Sequence, residues 1–172
     1  MPELQLLRLD HAPALLAFEK ENRAYFAASI PDRGDAYFTG FDERHADLLA
    51  EQATGLCYFH VLVNGDGGTA GETTAGTTGE VVGRVNLVDV ADGSAELGYR
   101  IAEKAAGKGL ATDAVRRICV LAAETYGLTE LRAKTTDDNT ASRAVLERTG
   151  FVTTGKIELS DRPGTTYIRT LS

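Results

Sequence analysis

Residues 98–112 combine a strand end, two glycines one residue apart (Gly107 and Gly109) and the start of a helix. Without β-carbons to shield the main chain, the N–H groups around Gly107, Lys108 and Gly109 can converge on one point. The first helical turn, Leu110, Ala111 and Thr112, adds unpaired N–H groups and the positive end of a helix dipole. Such a turn binds phosphate or pyrophosphate. Spacing narrows which nucleotide chemistry it serves. Lys108 lies between the glycines and no Ser or Thr follows a Gly-Lys pair, so the P-loop pattern G-x-x-x-x-G-K-[ST] is not met. Nor is the dinucleotide pattern G-x-G-x-x-G present. Metal chemistry finds no support, because His11, His45 and His60 are scattered and no H-E-x-x-H spacing occurs. Cys57 and Cys119 lie in apolar surroundings without C-x-x-C spacing, and are expected as buried, reduced thiols.

The elements that must carry this turn are readable from periodicity. Residues 4–9 read as a first strand, followed by a short helix to about Lys20 with Asp10 as N-cap and Pro13 in its tolerant first turn. Residues 21–40 read as an irregular loop, with Pro31-Asp32-Arg33-Gly34-Asp35 turning between the pairs Tyr25-Phe26 and Tyr37-Phe38. A helix over 42–53, a buried strand over 56–63 and strands over 80–90 and 94–102 come next. The Gly/Thr tract 64–79 is expected to be a solvated hairpin loop. Leu110, Ala114, Ile118, Leu121 and Ala122 recur at helical spacing and place an amphipathic helix over 109–126, ended by Gly127. A strand over 129–136, a helix over 139–149 closed by Gly150, and strands over 151–159 and 165–171 around Asp161-Arg162-Pro163-Gly164 complete the chain. Strand 165–171 is a candidate edge that could pair across a dimer.

The chain has 172 residues, the size of one domain over 1–172, and its 43% hydrophobic and 25% charged composition is that of a soluble globular protein. A net charge of −7 argues against a broad basic surface for nucleic acid and favours a cationic partner. No apolar run approaches the ~20 residues that span a bilayer, and no signal-peptide pattern opens the chain. The expectation is a cytoplasmic protein with neither membrane nor nucleic-acid partner, as a monomer or homodimer.

The neighbours of the glycine turn make it more specific. Glu96-Leu97-Gly98-Tyr99-Arg100-Ile101, then Ala106-Gly107-Lys108-Gly109-Leu110-Ala111-Thr112, then Asn139-x-x-Ser142 and Gly150-Phe151 resemble the GNAT superfamily of acetyl-CoA-dependent N-acetyltransferases, and within it the ribosomal-protein N-terminal (Rim-type) branch. The motifs cover about residues 80–151, and the element order extends the likeness over nearly the whole chain. The resemblance implies an α/β (α+β) fold with a mixed, mostly antiparallel twisted sheet of six to seven strands flanked by helices. It also implies an acetyl-CoA donor and no metal. Its glycine-turn pattern, (Arg/Gln)-x-x-Gly-x-(Gly/Ala), falls on 106–111, with Ala106 standing where the family usually has Arg or Gln.

Residue roles follow from that likeness. Tyr99, Arg100 and Ile101 would pair through their backbone with the pantetheine arm, Gly107 to Thr112 would hold the pyrophosphate, and Asn139 would cap its helix and bond the cofactor arm. An amine attacking a thioester requires a base, donors to the developing oxyanion and an acid for the thiolate. Glu96 is the candidate base, with surface pairing to a cation as the competing reading. Many relatives place a tyrosine acid where this chain has Leu146, which leaves Ser142 as the candidate donor to sulfur, against the reading of an ordinary first-turn serine. Tyr25, Phe26, Tyr37, Phe38 and Phe41, with Asp32, Asp35 and Asp42 nearby, are the expected acceptor pocket. The implied acceptor is a primary amine, either a protein N-terminus or a small molecule such as an amino sugar or polyamine. A catalytically silent acyl-CoA-binding module is the alternative.

Overall fold

The computed structural model describes residues 2–64 and 79–171. The Gly/Thr tract read as a hairpin loop lies almost wholly outside them. A seven-stranded sheet runs in the order β1-β2-β3-β4-β5-β7-β6, formed by β1 (Glu3–Leu6), β2 (Tyr58–Asn64), β3 (Glu80–Ala91), β4 (Ser94–Ile101), β5 (Glu130–Thr136), β6 (Val152–Leu159) and β7 (Arg162–Thr170). Every neighbouring pair is antiparallel except β4 with β5. The helices are α1 (Ala12–Glu21), α2 (Arg23–Ala27), α3 (Asp35–Thr39), α4 (Phe41–Ala53), α5 (Leu110–Glu124) and α6 (Thr140–Arg148). The mixed, mostly antiparallel sheet flanked by helices is the architecture expected from the sequence.

Strand alternation sorts the two faces of the sheet. Arg84 and Arg100 are cross-strand partners on β3 and β4, and both reach Glu19 on α1. Val85 and Tyr99, the adjacent pair, face the other way, where Tyr99 meets Ser142 of α6. α5 buries Leu110, Ala114, Val115, Ile118, Cys119 and Ala122, the stripe its spacing dictates. Both cysteines are buried free thiols, and burial pushes Cys57 up to about 11.

Four local expectations are corrected. The first helix is entered through a 3-10 turn, and His11, not Asp10, precedes α1; its Nδ1 accepts the Arg8 N–H at 2.9 Å. Residues 21–40 hold the short helices α2 and α3 rather than an irregular loop. The last hairpin turns at Ser160-Asp161, both with positive φ, so that Pro163 and Gly164 belong to β7. Gly164 serves close approach instead, since a Cβ there would lie 2.9 Å from the Thr135 carbonyl oxygen. Finally, β7 sits between β5 and β6, so the exposed edge is β6 and not 165–171.

Candidate active site

Position in the sheet creates the site. β4 and β5 are paired only over Ser94–Glu96 with Glu130–Arg132. From Leu97 onward β4 has no strand partner on that side, leaving backbone groups free to pair with an extended ligand. Leu97, Gly98 and Tyr99 from one strand and Lys134, Thr135 and Thr136 from the other line the resulting cleft of about 480 Å³. A second cleft of about 610 Å³ runs from the glycine turn to α6. The two meet: Tyr99, Asn139 and Ser142 line both, beneath a roof made by residues 28–30.

The glycine turn has the geometry its sequence requires. Gly107 and Gly109 adopt φ of 76° and 78°, the left-handed region that other residues enter at a cost. A Cβ at either would meet no atom within 4 Å, so the turn faces open space. Gly109 immediately precedes α5, whose first-turn N–H groups and dipole face the larger cleft. Gly107, Gly109, Leu110, Ala111, Thr112 and Ala106 all line it; Lys108, between the glycines, does not. Open space over a backbone cradle, continuous with the free side of β4, fits a long ligand with a pyrophosphate at one end.

At the junction, Asn139 caps α6 by accepting the Ser142 N–H on Oδ1 at 3.1 Å. That bond fixes where Ser142 stands. Its Oγ is 3.1 Å from the Tyr99 hydroxyl, which also donates to the Ser142 carbonyl at 3.4 Å. Burial raises the pKa of Tyr99, so the phenol keeps its proton. The Tyr99 side chain is the component that sequence reasoning missed; only its backbone was assigned a role. Strand alternation, with Tyr99 on the face of Leu97, was the available signal.

The remaining expected residues divide. Arg100 and Ile101 line the larger cleft, as do Tyr25 and Phe26. Tyr37, Phe38 and Phe41, expected at the acceptor pocket, line neither of the two clefts. Phe41 is 4% exposed and stacks on His45, Phe38 lies under the Arg23 guanidinium, and Tyr37 lies under Arg33. The expected acidic surface is likewise answered internally, for Arg23 bonds both Asp32 and Asp35 and brings Asp32 down to about 2. Glu96 is on the Arg100 face of β4, away from Ser142, with Oε1 3.8 Å from Arg132 and Oε2 3.3 Å from Lys134. It is outside both linings, whereas its partner Lys134 lines the smaller cleft. Among the described residues, no carboxylate lines either cleft.

Beneath the roof a different group of charges anchors β4. Glu19 is 2% exposed; its Oε2 accepts from Arg84 at 2.8 Å and its Oε1 from Arg100 at 3.0 Å, with Arg33 at 4.0 Å. Burial is the main cause bringing Arg100 down to about 10. The described residues include no group of three or more side chains suited to a metal, and no helix long and apolar enough to cross a membrane.

Known proteins share this fold. A ribosomal-protein-S5-alanine acetyltransferase from Vibrio fischeri superposes with a TM-score of 0.85 at 19% identity, covering 97% of this chain and 91% of that one. RimJ of Mycobacterium smegmatis, solved with CoA-disulfide, gives 0.82 at 23% identity over 97% of this chain and 80% of its own. In sequence, the putative ribosomal N-acetyltransferase YdaF of Bacillus subtilis (strain 168) is 38% identical over 80 residues, which is 45% of this chain and 44% of the relative's length. The profile of the acetyltransferase (GNAT) domain matches residues 3–152, and with the parted strands and glycine turn in place, the chain belongs to the GNAT acetyltransferase domain family.

Proposed function

We propose that the protein transfers the acetyl group of acetyl-CoA to the α-amine of a protein or peptide N-terminus within a ternary complex. The observation that carries this reading is the junction of two clefts at Tyr99, Asn139 and Ser142, which lets donor and acceptor meet without a covalent enzyme intermediate. Relatives named as ribosomal-protein acetyltransferases, and the CoA-disulfide in one of them, support the same assignment.

In this reading the backbone from Gly107 to Thr112 holds the pyrophosphate, and residues 99–101 line the arm of the donor. Acetyl-CoA, when bound, would supply a thioester whose CoA thiolate is a good leaving group. Ser142 holds a proton at Oγ near that end of the cleft, and Tyr99 orients the hydroxyl and keeps its own proton. Asn139 positions Ser142 through the α6 cap. Ala106 contributes no side-chain donor, so pyrophosphate affinity rests on main-chain N–H groups.

The acceptor's own chemistry compensates for the absence of a carboxylate among the described lining residues. An α-amine, with a pKa of about 7.7–8.0, is substantially neutral at physiological pH, whereas an alkylamine near 10.4 is almost wholly protonated. A site without a lining base therefore suits an N-terminus better than a polyamine. Glu96, itself outside the cleft lining, pairs with Lys134, which is part of it. The decisive experiment follows thiol release from acetyl-CoA with N-terminal peptides, an amino sugar and spermidine, together with the mass of each product. Peptide acetylation is expected. CoA binding without turnover on any amine would establish the silent acyl-CoA-binding module instead.

A further inference from the structure

Resting on that α-amine reading, we infer that the acceptor cleft selects an acidic N-terminal segment, with a carboxylate in the second or third residue, through Arg162 and Lys134. Both cations line the 480 Å³ cleft, while the carboxylates they pair with, Asp138 at 3.3 Å and Glu96 at 3.3 Å, lie outside its lining. At this cleft the lining member of each pair is the cation, while Asp138 lines the adjoining cleft of about 210 Å³ together with Arg162. Arg162 is also fixed in place, donating to the Ser29 carbonyl at 3.3 Å and so tying the β6–β7 turn to the roof.

The surrounding charge balance adds to this. Glu96 is shared by two cations, Arg132 and Lys134, and across residues 30–31 Glu19 is shared by three guanidiniums. Cations outnumber carboxylates in both groups, although the chain as a whole carries −7; away from this cleft, Arg23 with Asp32 and Asp35 and Lys104 with Glu21 and Glu80 run the other way. A field of one sign focused in a cleft raises the local concentration of the opposite charge and discriminates against the same charge. Arg162 and Lys134 retain donor capacity beyond their present bonds, enough to pair with a carboxylate. A polyamine or a lysine-rich N-terminus would instead place ammonium groups against these side chains. The expectation from composition alone, a cationic partner, is thereby reversed locally.

The test uses the full chain, acetyl-CoA and three peptides that share an N-terminal alanine and differ at positions two and three, with Glu-Glu, Gln-Gln or Lys-Lys. The acidic peptide is expected to exceed the neutral one in kcat/KM by roughly tenfold and the basic one by more, the difference arising in KM. Raising ionic strength should narrow the gap in the unaltered protein, so the inference does not depend on any variant folding. Arg162→Glu, checked for fold by its CoA affinity, should bring the basic peptide level with the acidic one or above it. Equal kcat/KM for the three peptides, or a preference for Lys-Lys, overturns this inference and leaves α-amine acetylation standing. Turnover on spermidine with none on any peptide overturns both.

Discussion

Glu19 and Glu96 are two carboxylates in the same arrangement, each tying together cations from neighbouring elements, and they differ in exposure. Glu19 joins α1 to Arg84 of β3 and Arg100 of β4 and is 2% exposed. Glu96, on β4, joins Arg132 and Lys134 of β5 at longer range and is 22% exposed. Burial strengthens each attraction and makes an unpartnered charge expensive, so the Glu19 group acts as a clamp. Partial exposure lets water screen the Glu96 group, which leaves it free to adjust to what enters the cleft beside it. One side of the parted strands is therefore fixed and the other adaptable.

Removing the charge of Glu19 is the strongest way to break this comparison. Glu19→Gln would keep the shape and leave Arg84 and Arg100 buried with excess positive charge, at a cost of about 3–5 kcal/mol. Chemical denaturation of the variant measures it. A loss below about 1 kcal/mol would mean that burial does not distinguish the two carboxylates. Because Arg100 also lines the donor cleft, CoA affinity should fall along with stability.

Acid tests the buried side at a second place. His60 is 1% exposed, with Nδ1 3.1 Å from the Val85 carbonyl and Nε2 2.7 Å from the Tyr126 hydroxyl. A neutral ring donating from Nδ1 and accepting at Nε2 satisfies both contacts. Burial pulls its pKa down to about 4 from 6.5. Below about pH 6.5 the unfolded chain takes up a proton that the folded chain refuses until about pH 4. Stability is therefore whole above pH 6.5 and declines as pH falls to 4, by about 3 kcal/mol in all. Melting temperatures across that range should show the decline, and His60→Gln should flatten it.

Much of this was legible in the residues. The glycine turn, the Asn139 cap and the stripe of α5 depend on local backbone requirements, which sequence states directly. The Pro163-Gly164 pair misled because the glycine answers a distant carbonyl on β5, a contact with no local signature. Tyr37, Phe38 and Phe41 lie outside both cleft linings for a related reason. An aromatic beside an acidic turn reads as a pocket, yet their partners are arginine side chains and a histidine brought in by folding. The face on which Glu96 lies needed the register of β3 with β4, and pairing registers are set by three-dimensional packing.

A smaller effect is expected at the junction between the two regions. Ser142→Ala removes the hydroxyl that Tyr99 holds at 3.1 Å and leaves the Asn139 cap, which uses the Ser142 N–H. Thiolates leave readily, so kcat should fall by about tenfold rather than the 10²–10⁴ typical of a required acid. CoA affinity should be almost unchanged. A fall in affinity with kcat preserved would make Ser142 a binding residue only.

The smallest effect belongs to Glu96, and it bears most directly on the proposed chemistry. Glu96→Gln should cost under 1 kcal/mol of stability, since its pairs are long and partly solvated. If Glu96 takes the proton from the acceptor, the variant should lose 10²-fold or more in kcat/KM at neutral pH. The geometry favours another result. With Glu96 outside the cleft lining and paired to Lys134, the rise of kcat/KM with pH should follow the acceptor's own amine near 7.7–8.0, in the variant as in the parent. Freed from its carboxylate, Lys134 would also bind an acidic acceptor more tightly, so KM for the Glu-Glu peptide should fall slightly. Loss of the pH profile in Glu96→Gln would restore it as the base and make the adaptable side of the sheet the catalytic one.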